Sequence, residues 1–344
     1  MRILVTGGSG FLGINLIRFL LARGHEIRSW DIAPFDYPER DRIDELHGDI
    51  RDLSLHERGF AGIDAVVHCA AALPLCSEEE IFSTDVGGTK ALLRSAEDKG
   101  IARFVHISST AVYGVPDHHP LFEHDPMVGV GPYGSAKIEA ERAIDAFRAR
   151  GLTVPILRPK SFVGPERLGA FELLYDFAVT GHGFPVLGNG QNLYQLLDVD
   201  DLCQAIWLCL SASSERVNDT FNVGAGRFGT LRQGFQAVLD QAGFGKHVVG
   251  FPLAPAVATL RALEALHLSP LYKWIYETAG KDSFVSIDKI GDRTGFVPQY
   301  SNEDALLRNF DWYVANRGRI SAKAGVSHRV PWKKGALGLV KLVI

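Results

Sequence analysis

Residues 2–13 read RILVTGGSGFLG, and this stretch decides the fold. The apolar run 2–6 predicts a buried strand, and INLIRFLLARG after the loop predicts an amphipathic helix. The next apolar run, HEIRSWD at 25–31, predicts a second strand. A strand, a glycine-rich loop, a helix and a further strand make a βαβ unit, which indicates a parallel sheet.

The loop itself has the spacing G-x-x-G-x-x-G, with Gly7, Gly10 and Gly13. Glycines at these places allow a tight turn, close approach of a pyrophosphate, and close packing of helix on strand. The start of the following helix presents backbone N–H groups and the positive end of a dipole. The loop therefore predicts a dinucleotide site.

An acid, Asp31, ends the second predicted strand. A carboxylate there can accept both ribose hydroxyls of NAD, whereas it would repel the extra phosphate of NADP. The alternative role for Asp31 is a simple helix or turn cap. The acid favours NAD, and Arg28 and Arg40 leave NADP open.

Further apolar runs at 65–70, 104–108 and 154–158 predict strands, and they alternate with predicted helices at 85–99 and 133–150. This rhythm predicts an α/β protein with a Rossmann-type doubly wound parallel sheet. After about residue 160, loops rich in Gly and Pro interrupt helices, which indicates a smaller mixed α/β substrate domain.

We expect an NAD-binding domain over 1–165, with 196–224 returning to it, and a substrate domain over 166–195 and 225–320. The segment 321–344 is a C-terminal tail that mixes lysines with apolar residues, the composition of an interfacial anchor at a membrane surface. Packing against the protein body is the alternative. An apolar helix predicted near 253–267 would be a pocket wall, a lid or a dimer face of the substrate domain, again with packing against the protein body as the alternative.

Composition narrows the class. The 344 residues carry a net charge of -4, so there is no basic stripe for nucleic acid. The four cysteines lack C-x-x-C spacing, and neither a zinc site nor a disulfide framework is indicated. Because the first strand starts at residue 2, we expect no signal peptide and a cytoplasmic protein.

The segment PYGSAK at 132–137 opens the helix predicted at 133–150. At about 100° per residue, Tyr133 and Lys137 fall on the apolar stripe of that helix. A solvated helix face is the ordinary explanation for such a pair. A lysine placed toward a core, however, needs a partner or a task.

Several motifs occur in order: the glycine loop, GDI at 48–50, HCAA at 68–71, HISSTAVYG at 106–114, and YGSAK at 133–137. With them the chain resembles the extended short-chain dehydrogenase/reductase family, in its NAD-dependent epimerase/dehydratase and 3β-hydroxysteroid dehydrogenase branches. The resemblance spans about residues 1–210. It implies an NAD-dependent enzyme that transfers hydride at a secondary alcohol or ketone carbon.

The resemblance implies that Tyr133 is the acid/base, with a pKa lowered by Lys137, which also holds the nicotinamide ribose. Ser109 matches the hydroxyl that bonds the reacting oxygen, with Ser108 and Thr110 close in register; strand-end hydroxyls bonding the backbone are the alternative. The cofactor contacts that it implies are Gly7, Gly10, Phe11, Leu12, Gly13, Asp31, Asp49, Ile50, Ala70, Tyr133 and Lys137.

The chain departs from the family pattern at its substrate positions. Ser161 stands where sugar-nucleotide members usually have asparagine, and Tyr194 where they have an arginine that grips the diphosphate. Arg167 offers a substitute charge, with an exposed loop arginine as the alternative. Asp85 stands where asparagine is frequent near the cofactor. Thr110 and Ala111 replace the two acids of dehydratases, which argues against dehydration.

Three functions remain open. The first is a nucleotide-sugar epimerase, preferred by a small margin. The second is a 3β-hydroxysteroid-like or other lipid alcohol dehydrogenase, with or without decarboxylation. The third and weakest is a non-catalytic NAD-binding scaffold, in which Ser109, Tyr133 and Lys137 would have no purpose. The resemblance further implies a homodimer formed through helices 85–99 and 133–150.

Overall fold

The computed structural model describes residues 1–255, 257–258 and 280–320. Its strands are β1 (Arg2–Thr6), β2 (Glu26–Asp31), β3 (Asp44–His47), β4 (Ala65–His68), β5 (Arg103–Ile107), β6 (Ile156–Pro159), β7 (Phe162–Val163), β8 (Phe184–Leu187), β9 (Leu197–Asp198), β10 (Thr220–Val223) and β11 (Val248–Phe251).

The helices within these residues are α1 (Phe11–Leu21), α2 (His56–Phe60), α3 (Glu78–Ile81), α4 (Thr89–Asp98), α5 (Gly131–Ala149), α6 (Ala170–Val179), α7 (Val199–Ser211), α8 (Ser214–Val217), α9 (Leu231–Ala242), α10 (Asp288–Thr294) and α11 (Asn302–Asn316). A π-helical turn, Phe82–Gly88, joins α3 to α4. Short 3-10 turns lie at Arg40–Arg42, Leu53–Leu55 and Thr110–Tyr113.

Seven parallel strands form the central sheet in the order β10-β6-β5-β4-β1-β2-β3. The strand order reverses at β1, which pairs with β2 on one side and β4 on the other. In sheets of this kind ligands bind outside the carboxyl ends of the strands at such a reversal. The Rossmann-type fold class predicted from the sequence is confirmed.

Helices cover both faces of the sheet, and β1 shows why. Successive side chains of a strand point to opposite faces. Ile3 and Val5 join the core cluster that contains residues of α1 and α7, whereas Leu4 joins the cluster that contains residues of α4 and α5. All three side chains are fully buried, which accounts for a continuous apolar run without polar alternation.

A third apolar cluster is built from α6, α9 and α11 with the parallel pair β8 and β11. The residues of this cluster come after most of the sheet strands in the sequence. One strand from the same part of the chain, β10, nevertheless belongs to the sheet, where it pairs with β6. The division into domains stays a prediction. The predicted helix at 253–267 and the tail 321–344 lie outside the described residues, apart from the first few positions of that helix.

Among the residues that the structure describes, no helix has both the length and the apolar character that a bilayer span requires.

Candidate active site

The glycine loop packs so tightly that side chains are excluded. Gly7 has φ +70°, and a Cβ added there would lie 2.7 Å from the backbone nitrogen of Ala70. A Cβ on Gly13 would lie 2.2 Å from the carbonyl oxygen of Gly7. Within the described residues no side chain caps α1 at Gly10. The loop therefore presents backbone N–H groups of Phe11, Leu12 and Gly13 at a helix start, which fits a dinucleotide pyrophosphate.

Asp31 is fixed beside this loop. Its Oδ2 accepts a hydrogen bond from the Ser9 amide at 2.9 Å, and its Oδ1 accepts from the Ala33 amide at 2.8 Å. Two backbone donors hold the carboxylate at the carboxyl end of β2, where the ribose of a bound dinucleotide would come. The structure thus combines the loop and the acid as the sequence predicts.

Two further predicted cofactor contacts, Asp49 and Ile50, have partners of their own. Arg51 clasps the Asp49 carboxylate, with Nε at 3.0 Å from both oxygens, and lowers the pKa of Asp49. Ile50 is 4% exposed and packs in the core, where Gly88 lies against it. The backbone at Asp49 and Ile50 lies near the cofactor end of the sheet, whereas the Asp49 carboxylate is held by Arg51.

A buried chain of hydrogen bonds runs from the end of β1 to the π-helical turn. His68 lies 2.7 Å from the Thr6 hydroxyl through Nδ1 and 2.9 Å from the Thr89 hydroxyl through Nε2. Thr89 donates to the Asp85 carbonyl at 2.6 Å, so its oxygen accepts from His68 and the imidazole proton sits on Nε2. Burial lowers the pKa of His68 to about 3, which keeps the ring neutral. The end of β1 is thereby locked to the π-helical turn.

Lys137 is buried in α5 and paired with Asp85. Its Nζ lies 3.4 Å from Asp85 Oδ2, and the two side chains are 3% and 0% exposed. The Ala72 amide donates to Asp85 Oδ1 at 2.7 Å and fixes the carboxylate. Burial acts to lower the pKa of Lys137, but Asp85 and Tyr133 outweigh it and the net direction is upward. Lys137 is therefore a stable cation, and Asp85 is the kind of partner that a lysine on the apolar stripe needs.

Tyr133 lies one helical turn before Lys137, whose Nζ is 5.6 Å from the centre of the phenol ring. Burial raises the pKa of the Tyr133 hydroxyl, and the Asp85 carboxylate adds to this; Lys137, Ser109 and Arg167 act in the opposite direction. The lowering expected from Lys137 is present, but in this structure burial prevails. The positive charge of a nicotinamide close by would push the pKa further down.

Three neighbouring hydroxyls have different environments. Ser109 starts the 3-10 turn and accepts from the Ala111 amide at 3.1 Å, and its side chain acts to lower the pKa of the Tyr133 hydroxyl. Ser108 is buried and bonds to Glu141. Thr110 lies 3.4 Å from the Pro159 carbonyl. Of the three, Ser109 is the hydroxyl beside Tyr133.

Sequence reasoning did not find the buried polar network below these residues. Arg158 pairs with Glu141 at 2.6 Å and donates to the Tyr113 hydroxyl at 2.8 Å, and Tyr113 donates to Asn222 at 2.7 Å. Glu141 and Arg158 are each 4% exposed. The network links α5 and the 3-10 turn to β6 and β10, so it fixes the elements that carry Tyr133 and Ser109.

The predicted substrate residues fall into two places. Ser161 and Tyr194 are joined by a hydrogen bond between their side chains. The Arg167 guanidinium packs over Phe11 at 5.1 Å and Phe162 at 5.7 Å, half-buried rather than exposed, and it acts on Tyr133 electrostatically. A buried lysine, Lys160, lies 5.6 Å from the Tyr194 ring and was not predicted.

The glycine loop, Asp31, Ser109, Tyr133 and Lys137 thus meet at the carboxyl edge of a parallel sheet. This fold and site define an oxidoreductase that uses a nicotinamide dinucleotide. Residues 3–224 match the model of the NAD dependent epimerase/dehydratase family, and the chain belongs to that family. The family and enzyme class predicted from the sequence are confirmed.

Relatives cover nearly the whole chain. The y4nG protein of Sinorhizobium fredii is 35% identical, over 98% of this chain and 85% of its own length. A dTDP-glucose 4,6-dehydratase of Streptomyces niveus is 30% identical, over 92% of this chain and 94% of its own. A 3 beta-hydroxysteroid dehydrogenase/Delta 5-->4-isomerase of Mycobacterium tuberculosis is 27% identical, over 91% and 90%.

Solved structures agree in fold. UDP-glucose 4-epimerase of Thermotoga maritima superposes with a TM-score of 0.78 at 23% identity, covering 92% of this chain and 100% of that one. The dTDP-glucose 4,6-dehydratase DesIV of Streptomyces venezuelae, solved with NAD bound, gives a TM-score of 0.75 at 28% identity, covering 93% and 98%.

Proposed function

We propose that this protein oxidises a secondary alcohol carbon of a nucleotide sugar with NAD and then returns the hydride, as an epimerase does. The observation that carries the proposal is the meeting of Ser109, Tyr133 and Lys137 beside the glycine loop. A non-catalytic scaffold would need none of the three. The Asp85–Lys137 pair adds a buried cation at the phenol.

Each of these side chains has a task that follows from its surroundings. NAD supplies the hydride acceptor when it is bound. The Tyr133 oxygen takes the proton from the substrate hydroxyl, and the nearby ammonium of Lys137 stabilises the phenolate. The Ser109 side chain acts on the Tyr133 hydroxyl, so it can donate a hydrogen bond to the reacting oxygen that Tyr133 approaches. Tyr133 then returns the proton to the carbonyl oxygen, and return of the hydride to the opposite face of the carbonyl carbon completes an epimerisation.

The choice of NAD over NADP is supported by the charges near Asp31. Arg28 is buried and bonds Asp44 at 2.5 Å, and Arg40 bonds Glu45 at 3.0 Å. Both arginines that left NADP open from the sequence are therefore engaged by acids. A 2′-phosphate would meet the Asp31 carboxylate, so we infer that NAD is the cofactor.

For the substrate, the nucleotide sugar is supported by the dTDP-glucose 4,6-dehydratase relative. The steroid dehydrogenase relative, together with Ser161 and Tyr194 at the sugar-nucleotide positions, favours a second candidate, a lipid alcohol dehydrogenase that releases NADH. Thr110 and Ala111 in place of two acids argue against dehydration in either case. The homodimer and the membrane contact of the tail stay predictions.

The experiment is Tyr133→Phe, which removes the phenolic oxygen and keeps the ring. We expect turnover to fall by about 10²–10⁴-fold, the usual contribution of a general acid–base. NAD affinity, followed by titration, stays nearly unchanged because the glycine loop and Asp31 are untouched. A variant with full turnover would remove Tyr133 from the mechanism.

A further inference from the structure

A cleft opens next to the catalytic residues, on the side away from the glycine loop. It lies between the 3-10 turn with the loop after it and the segment 281–283. Its lining includes Thr110, His119, Lys160, Lys281 and Ser283. Thr110 directly follows Ser109, so whatever occupies the cleft lies close to the reacting group.

Lys160 is the unusual member of this lining. It follows the end of β6, and its backbone amide bonds the Val223 carbonyl at 2.8 Å, which fixes its place at the sheet edge. The residue is only 5% exposed. Its ammonium donates to the Ser283 hydroxyl at 2.6 Å and lies 5.6 Å from the Tyr194 ring.

No acid neutralises this ammonium within the described part of the chain, where its hydrogen-bond partner is the neutral Ser283. Burial lowers the pKa of Lys160 to about 7. Asp282, the acid of the cleft lining, accepts from the Leu193 amide at 2.7 Å instead. A buried ammonium without a counterion is costly, and an anionic ligand would remove that cost.

The position of Lys160 matters because the chain lacks the arginine that usually grips a diphosphate in sugar-nucleotide members of the family. Tyr194 occupies that place, and its ring lies beside the Lys160 ammonium. Lys160, directly after β6, therefore supplies a cation where the arginine is missing.

We propose that Lys160 is the anchor for an oxyanion of the substrate, either a phosphate of a nucleotide diphosphate or a carboxylate near the reacting carbon. The inference rests on the proposed function, in that it assigns the cleft to the substrate. It predicts that the substrate is acidic. The competing explanation is that Lys160 only ties the segment at Ser283 to the sheet.

The test follows the protonation of Lys160 itself. Lysines of the NAD-loaded protein are labelled with carbon-13 at Cε, and the Lys160 resonance is assigned by its loss in Lys160→Met. Its pH titration is recorded alone and with UDP, UDP-glucose, UDP-glucuronate or glucuronate. A bound oxyanion favours the charged amine and raises the titration midpoint, by about one pH unit or more. A structural tie to Ser283 gives no such response.

The probes separate the two sources of oxyanion. A rise with UDP and UDP-glucose identifies the diphosphate, and a rise with UDP-glucuronate and glucuronate but not with UDP identifies a carboxylate. Lys160→Met should weaken binding of the active probe about tenfold or more, which is the loss of one charge-assisted hydrogen bond. Lys289→Met, which removes a lysine paired with Asp219 at 2.7 Å, is the control.

A midpoint that no probe moves overturns the proposal. If UDP-glucose is converted with NAD while the midpoint stays fixed, the proposed function stands without this anchor. If glucuronate raises the midpoint but no nucleotide sugar is converted, the anchor stands and the nucleotide-sugar function falls.

Discussion

Asp85 acts electrostatically on both Lys137 and Tyr133. It places a fully buried carboxylate 3.4 Å from the ammonium of Lys137. The carboxylate raises the pKa of Lys137 and also that of Tyr133. Burial and the Asp85 carboxylate thus together raise the pKa of the phenol, and with it the pH at which the phenol can act as a base.

The variant Asp85→Asn tests this coupling. Alcohol oxidation requires Tyr133 to be deprotonated, so activity rises with pH through the pKa of the phenol. Removing the carboxylate lowers that pKa, and we expect the rising limb of kcat/KM against pH to move to lower pH. The measurement is a pH–rate profile of kcat/KM for the nucleotide sugar, whose first step is oxidation of the alcohol carbon.

The matched control is Asp145→Asn, which removes an exposed carboxylate from the outer face of α5, where Asp145 pairs with Arg148 at 3.5 Å. Its profile should coincide with that of the unaltered protein. A rising limb of Asp85→Asn that stays in place, or moves to higher pH, would show that Asp85 does not tune Tyr133.

At the scale of elements, the site depends on how β1, its loop and α1 approach one another. Gly13→Ala puts a Cβ at 2.2 Å from the Gly7 carbonyl oxygen, so the helix must move away from the loop. We expect NAD affinity to fall by at least about 100-fold, since both the pyrophosphate cradle and the dipole end are displaced. NAD titration by calorimetry provides the number.

Gly24→Ala serves as the comparison for this loss. Gly24 also has a positive φ, +76°, but nothing lies within 4 Å of an added Cβ. That variant should cost about 1 kcal/mol of folding stability and leave NAD affinity unchanged. Equal NAD affinity in both alanine variants would contradict the role assigned to the glycine loop.

Local pattern and long-range contact explain what the sequence could predict. The glycine loop, the acid at Asp31 and the buried parallel strands leave signals within a few residues, and the sheet formed as predicted. β3 reads DELH, without apolar alternation, and was missed. The burial of Lys160 depends on Ser283, 123 positions further along the chain, so no local pattern could reveal it.

At the scale of the molecule, the parallel sheet gathers residues from across the chain at one edge. The end of β1 supplies the glycine loop, the end of β5 leads to Ser109, and the end of β6 leads to Lys160. Tyr133 and Lys137 come from the start of α5, which Glu141 and Arg158 fix to β6. The site is therefore assembled from residues that lie far apart in the sequence.

We propose that this site removes and returns a hydride on a nucleotide sugar. The most direct measurement mixes purified protein with NAD and a panel of nucleotide sugars and, separately, sterol-like alcohols, and follows NADH absorbance together with product analysis. We expect conversion of a nucleotide sugar without net NADH, because an epimerase returns the hydride within each turnover. NADH that accumulates with lipid alcohols alone would contradict it.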